Sequence, residues 1–212
     1  YYWAYPAVDI FGRTSVWETM KDGPGMMLGT APGAPVNMSS CLTDYLPPAQ
    51  RIVVTPNNDT FYGAGFVDLG REPVVVQTPT DVPSGHYWTI QIADVFTNVI
   101  HQLGSASATP GGKYLLVGPD WNGQKPEGFI DILRMPTNIV AALPRSFAAR
   151  TPEAKERAVA VLNQIGMYPL SKNQTGQRDF DCKTAARNAI YPPGVTPEMI
   201  AADPDASRPQ WV

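Results

Sequence analysis

From His86 to Val95, Trp88, Ile90 and Ile92 occupy one side of a two-residue alternation, and Tyr87, Thr89 and Gln91 the other. That period puts successive side chains on opposite faces, so the segment is a strand with one dry face. Shorter runs repeat the signal. Arg51–Val54 ends at Pro56, Thr60–Leu69 is rich in aromatic and small residues, and Pro73–Gln77 holds three consecutive valines. Asn98–Leu103, Lys113–Val117 and Gly128–Arg134 follow. Strands spaced by roughly 10–15 residues, with no helix-period segment between them, predict an antiparallel sandwich or barrel. A βαβ fold would need helical crossovers that this stretch lacks.

The two ends read differently. Tyr5, Val8 and Phe11 fall at helical spacing behind Pro6. This predicts a short N-terminal helix laying its aromatic face on the core. Residues 21–50 are broken by Gly23-Pro24-Gly25, Ala31-Pro32-Gly33 and Pro47-Pro48, and read as a long loop. Near the C-terminus, Thr151-Pro152-Glu153 is a helix start: a capping side chain, a first-turn proline and an acid at the positive end. Ala158, Val161, Leu162 and Ile165 form its apolar stripe, and Gly166 is its stop. Thr196-Pro197-Glu198 reads as one more short turn of helix. The expected fold is mainly β (α+β overall), an antiparallel β-sandwich or jelly-roll-like module with a short N-terminal helix and a small C-terminal helical appendage. The division is a β-rich domain over 1–147 and a helical appendage with an extended tail over 148–212. Neither 21–50 nor 184–212 holds a sustained period, so both are expected to be ordered by contact with the sandwich or with another chain.

Composition narrows the function classes. The 212 residues carry a net charge of −3, only 17% are charged, and 22 are proline. Phosphate-backbone binding needs a basic face, so no nucleic-acid partner is expected. No run of about 18 apolar residues occurs, so no transmembrane segment is expected. The low charge and the Ser/Thr/Asn/Gly/Pro content point to an extracytoplasmic protein, periplasmic or secreted. The chain opens at Tyr1 without methionine, an opening compatible with a leader removed in processing. Cys41 and Cys182 are too far apart for a metal or redox motif, and only two histidines exist, so no metal site is expected. One disulfide closing a long loop is the expectation, two buried thiols the alternative. Three N-x-S/T sequons occur, of which Asn37 and Asn173 are the glycosylation candidates, should the host be a eukaryotic secretory cell.

Candidate chemistry sits in two places. In Pro56-Asn57-Asn58-Asp59-Thr60-Phe61-Tyr62, Asn and Asp favour an Asx-type turn between strands. The functional reading has Asn57, Asp59 and Tyr62 projecting into a cleft. In Asp94-Val95-Phe96-Thr97-Asn98, Asp94 continues the dry face of the 86–95 strand. A carboxylate there must be paired or hydrogen-bonded. It either caps the following turn or serves as a general acid/base or ligand-orienting group with Asn98. Asp59 and Asp94 could meet at one end of the sandwich. His86 lies on the Trp88 face as a candidate base, while His101 reads as a packed, satisfied side chain. No phosphate loop, nucleophile elbow or cofactor motif occurs, and no cofactor is expected.

Taken in order, Tyr5-Pro6, Pro56–Tyr62, Val67-Asp68-Leu69, Pro73-Val74-Val75, His86-Tyr87-Trp88 through Asn98, and Gly112–Trp121 resemble the domain of unknown function 1254 family over about residues 1–145. The resemblance implies a mostly bacterial, often exported protein, and many members carry a second β-rich domain of unknown function, number 1214. His86 stands where the family has a basic residue before paired aromatics. Ser105-Ala106-Ser107-Ala108 replaces an Arg-Thr-Thr-Gly-like turn. No reaction is implied.

Two functions follow as expectations. The first is a non-enzymatic extracytoplasmic module that binds a ligand or partner, or builds an assembly, with itself or another protein chain as partner and a small molecule or carbohydrate as ligand. The second is an enzyme using Asp94 and Asp59, with Tyr62 or His86 as acid/base groups, on a small neutral or sugar-like substrate. They differ in geometry: the enzyme needs these groups to converge in one concave site.

Overall fold

The computed structural model describes residues 4–18, 27–28, 31–32, 34–45, 57–173 and 202. The expected strand at 51–54, the turn at 196–198, the 184–212 arm apart from residue 202, and Cys182 lie outside the described residues.

Two sheets face one another. Helix α1 spans Tyr5–Glu18, and the two-residue strands β1 (Met27–Leu28) and β2 (Ala31–Pro32) pair with each other. Then come β3 (Ser40–Cys41), β4 (Thr60–Asp68), β5 (Val74–Thr78), β6 (Trp88–Asp94), β7 (Val99–Gly104), β8 (Gly112–Val117), β9 (Phe129–Arg134), β10 (Ile139–Phe147), helix α2 (Pro152–Gln164) and β11 (Gly166–Pro169). The first large sheet has the order β3-β4-β10-β6-β7 and is antiparallel throughout. The second has the order β11-β5-β8-β9, with β9 parallel to β8 at its edge.

The core lies between the sheets. Phe61, Val67, Ile90, Ile92 and Val140 from the first meet Val74, Val76, Leu116 and Leu133 from the second. The alternation along β6 holds from Ile90 onward: Trp88, Ile90, Ile92 and Asp94 are buried and Gln91 and Ala93 half-buried, but Thr89 is buried as well, its hydroxyl donating to Leu103 O at 3.0 Å. Three valines run together in β5 because the second sheet is covered on both faces. Val75, Leu115 and Val117 pack with Phe129 and Tyr168 on its far side, under Trp121 and Leu170.

Residues 148–173 are part of this same body. Thr151 caps α2 by accepting the Ala154 N–H at 3.3 Å. Ala158, Val161, Leu162 and Ile165 enter the central core, and β11 completes the second sheet beside β5. No packing boundary falls at 147/148, because the helix supplies apolar surface to the core that the two sheets share.

Helix α1 turns the other way from expectation. Of its described side chains, Ile10 and Thr14 are buried, while Tyr5, Val8 and Phe11 are 45%, 57% and 52% exposed. The helix packs on β4 and β10. Thr14 can be buried because its hydroxyl donates to Ile10 O at 2.8 Å, so no donor is left unpaired.

Strand β10 is the element that the hydrophobic pattern concealed. Pro144 argues against a central strand, since it cannot donate to a ladder. Pairing with β6 runs unbroken from Val140 to Ser146, whereas pairing with β4 lapses at Leu143 and Pro144. The missing N–H thus falls on the β4 side. There Gly63 has no side chain to collide with the proline ring.

Part of the 21–50 segment docks on the first sheet. β3 pairs Cys41 with Gly63 and Ser40 with Ala64, and Leu42 donates its N–H to Tyr62 O at 2.7 Å.

Candidate functional site

The register of the first sheet decides which candidates meet. β10 pairs Val140 with Asp94 and Phe147 with Thr60. At about 3.4 Å per residue, those positions are roughly 24 Å apart along the strand. Asp59 and Asp94 therefore stand at opposite ends of the sheet, and the expected meeting of the two carboxylates does not occur.

Asp94 is fully engaged in a turn. Its Oδ1 accepts the N–H groups of Phe96 and Asn98, each at 2.9 Å, and its Oδ2 accepts Asn98 Nδ2 at 2.9 Å. The β6–β7 turn puts Thr97 at φ 67, and its N–H donates to Asp94 O at 3.0 Å. The aspartate supplies acceptors for backbone donors that the tight reversal leaves unpaired. Asn98 is its partner; Asp94 is buried and Asn98 exposed.

The other end gathers more. Asn57, Asn58 and Asp59 are exposed. The Tyr62 hydroxyl accepts the Asn57 N–H at 2.8 Å, folding the loop back over the strand. Arg145, opposite Tyr62 in the register, lays its guanidinium 5.2 Å from the centre of the Tyr62 ring. On the inner side, His86 Nε2 lies 2.8 Å from Ser146 Oγ, and Ser146 is wholly buried. Burial, and to a lesser degree the Arg157 guanidinium, hold the His86 imidazole below its usual value. Ser105 Oγ donates to His86 O at 2.9 Å and accepts the Trp88 N–H at 3.1 Å, fixing the start of β6. Of the proposed enzyme groups, Asp59, Tyr62 and His86 thus share one end, with Tyr62 on the outer face of the sheet and His86 directed to the inner.

His101 ties the two sheets: its Nε2 lies 3.0 Å from Arg134 O. Cys41 is buried on β3. Asn37 is also buried, with both amide atoms bonded to the Asp68 backbone. The Asn37 amide, a glycosylation candidate by sequence, is thus committed within the fold. Asn173 is half-buried and accepts Lys113 Nζ at 2.9 Å.

Arg145, Ser146 and Thr60 were not singled out by sequence reasoning. Their signal lies in pairing partners supplied by β10, a strand that Pro144 disguises.

The model of a protein family described as "Protein of unknown function (DUF1254)" matches residues 36–169, well over half of the chain. The chain belongs to the DUF1254 family. The match takes in α2 and β11, in keeping with their place in the core. No curated protein matches this DUF1254 chain. Among solved structures, the VPA0106 protein of Vibrio parahaemolyticus is similar, with 19% identity and a TM-score of 0.61 over 94% of this chain and 52% of that one. The fold is therefore shared, and this chain spans about half the length of the Vibrio protein. An uncharacterized protein from Burkholderia cenocepacia matches 55% of the chain and 33% of its own length, at 16% identity and a TM-score of 0.35.

Proposed function

We propose that this DUF1254 chain is a non-enzymatic, extracytoplasmic module that binds a ligand or partner and takes part in an assembly. The dispersal of the acid/base candidates carries the reading. Asp94 has both oxygens committed to a turn, and Asp59 lies at the far end of the sheet. Exposed apolar side chains support the assembly half. Tyr5, Val8 and Phe11 line one side of α1, and Leu143, Phe147 and Tyr87 lie on the first sheet and just before it. Clustered large apolar groups at a surface are the ordinary mark of a contact with another chain. The low charge and a Cys41–Cys182 bond fit an oxidising compartment. Such a bond would clamp β3 to the C-terminal segment.

Light scattering on the purified native chain tests assembly, and the expected mass exceeds one copy. Val8→Glu with Phe11→Glu should return it to monomer without loss of far-UV ellipticity. A wild-type chain that stays monomeric at every concentration and cross-links to nothing overturns the assembly reading. Mass spectrometry without reduction tests the disulfide, and two free thiols would remove it.

One observation favours the enzyme reading: the contact between His86 and Ser146, with burial lowering the proton affinity of the imidazole. It requires a nucleophile that substrate can reach, and Ser146 is buried. Labelling of Ser146 by a fluorophosphonate probe in the folded protein would decide for the enzyme.

A further inference from the structure

Strands β8 and β9 are parallel neighbours, so the chain must cross back over the sheet before the second can start. Residues 118–128 make that crossing without a helix or a strand. Both ends of the crossing are fastened. Arg134 Nη1 donates to Gly118 O and to Pro119 O, each at 3.1 Å. Trp121 packs on the cluster that includes Val75, Leu115 and Phe129 on the far side of the second sheet. Further on, Lys125 Nζ donates to Ile130 O at 2.9 Å.

Between those fastenings Asn122, Gly123 and Gln124 are exposed, and none of the three joins a hydrogen bond among the described residues. Asn122-Gly123 is the one Asn-Gly pair in the sequence. Packing demands the glycine: a Cβ at position 123 would stand 2.4 Å from Cζ2 and 2.7 Å from Cε2 of Trp121. The same missing Cβ has a chemical consequence. It leaves the Gly123 nitrogen without a steric screen and its dihedrals free, so that nitrogen can approach the carbonyl carbon of the preceding side chain. Asparagine side chains meet neighbouring backbone readily, and here no competing hydrogen bond among the described residues holds the amide elsewhere.

We propose that Asn122 is a site of spontaneous deamidation. The Gly123 nitrogen, having given its proton to hydroxide, attacks Asn122 Cγ. A C–N bond forms, the bond from Cγ to Nδ2 breaks, and the leaving nitrogen takes a proton from water and departs as ammonia. Water then opens the five-membered succinimide at either carbonyl. One opening gives aspartate. The other gives isoaspartate, whose main chain runs through Cβ. In sum, amide and water become acid and ammonia, and no oxidant, metal or enzyme is consumed. Either product adds one negative charge to the net −3 of the chain. Isoaspartate also lengthens the backbone by one carbon beside the Trp121 ring, which lies against Gly123. The site takes no part in the binding or assembly proposed above.

The test holds the native full chain at mildly alkaline pH for several weeks, beside a sample unfolded in guanidinium chloride, and digests both with trypsin. Cleavage after Lys113 and Arg134, with Lys125 shielded by Pro126, releases Tyr114–Arg134, in which Asn122 is the sole asparagine. In the native sample that peptide should gain about 1 Da, as an amide nitrogen is exchanged for oxygen, and should become a substrate for an isoaspartyl methyltransferase. The native rate should lie within several-fold of the unfolded one. Conversion confined to the unfolded sample overturns the proposal, since the folded loop then keeps the Gly123 nitrogen away from Asn122 Cγ. An unchanged peptide in both samples overturns it too. Asn122→Gln should abolish the shift. A shift that persists in this variant places the reaction at Gln124 and rejects Asn122 as the site.

Discussion

Asn37 holds the backbone of Asp68 from both sides of one peptide position. Its Oδ1 accepts the Asp68 N–H at 2.7 Å, and its Nδ2 donates to Asp68 O at 3.2 Å. The amide imitates a neighbouring strand just where β4 ends, and it does so from a residue at φ 68. Asparagine tolerates that left-handed geometry better than most side chains. Asn37→Ala would take the acceptor from the Asp68 N–H, leave Asp68 O to the longer Arg71 N–H bond at 3.4 Å and keep the strained backbone, at a cost of about 1–3 kcal/mol. Asn37→Gly relieves the backbone and loses only the bonds, so it should cost less. Urea unfolding of the two variants checks the order.

Asp94→Ala should destabilise by about 1–3 kcal/mol, because the Phe96 and Asn98 N–H groups lose their acceptor. Asp94→Asn should cost well under that. Its carbonyl can take the two backbone donors, and Asn98 can turn its amide to accept the new NH2. Denaturant midpoints of the two variants measure the difference. Equal losses would mean that charge, not acceptor geometry, holds the turn.

Stability should fall on acidification through His86. The folded imidazole sits below the unfolded value, near 6.5, so the unfolded chain takes up protons first as pH drops. The contribution is complete above that value and is lost as pH falls through the folded one. Thermal midpoints of wild type and His86→Gln between pH 7.5 and 5, about two and a half units spanning the imidazole range, should converge toward the acid end. Because Arg157 is the lesser cause, Arg157→Gln should shrink the pH dependence without abolishing it.

Gly63 and Gly65 should differ in their tolerance of a methyl group. A Cβ at Gly63 would stand 2.5 Å from Ser40 O, which is backbone of the paired strand β3. A Cβ at Gly65 would collide with the methyl end of Met167, the far end of a flexible side chain, and stand 3.0 Å from Met38 O, a looser backbone approach than at Gly63. Gly63→Ala should therefore cost about 1–3 kcal/mol, and Gly65→Ala less. Thermal melts of the pair check the ranking.

Strand β6 and helix α2 were legible because each carries its evidence locally, in a two-residue alternation and in the Thr151-Pro152 start. The Asp94–Asn98 turn was legible for the same reason, since its acceptors and donors lie within five residues. Residues 139–147 were not, because Pro144 and the small Ala141 and Ala142 blur the alternation of a strand buried between two partners. The orientation of α1 was misread since Tyr5, Val8 and Phe11 form a better apolar stripe than Ile10 and Thr14. Tertiary packing chose the poorer one. Arg145 acquires meaning only through its register with Tyr62, a relationship that no window of sequence contains.

The place of β10 between β4 and β6 also sets an order of events during synthesis. It is the last strand of its sheet to leave the ribosome, yet it joins the other four. Until residue 147 has emerged, β4 with β3 and β6 with β7 are two separate ladders, each with an open edge toward the vacant centre. Such long-range pairing is slow, and open edges invite association with other chains. The nascent chain is thus most vulnerable while its centre is missing, and the strand broken by a proline is the one that ends the exposure.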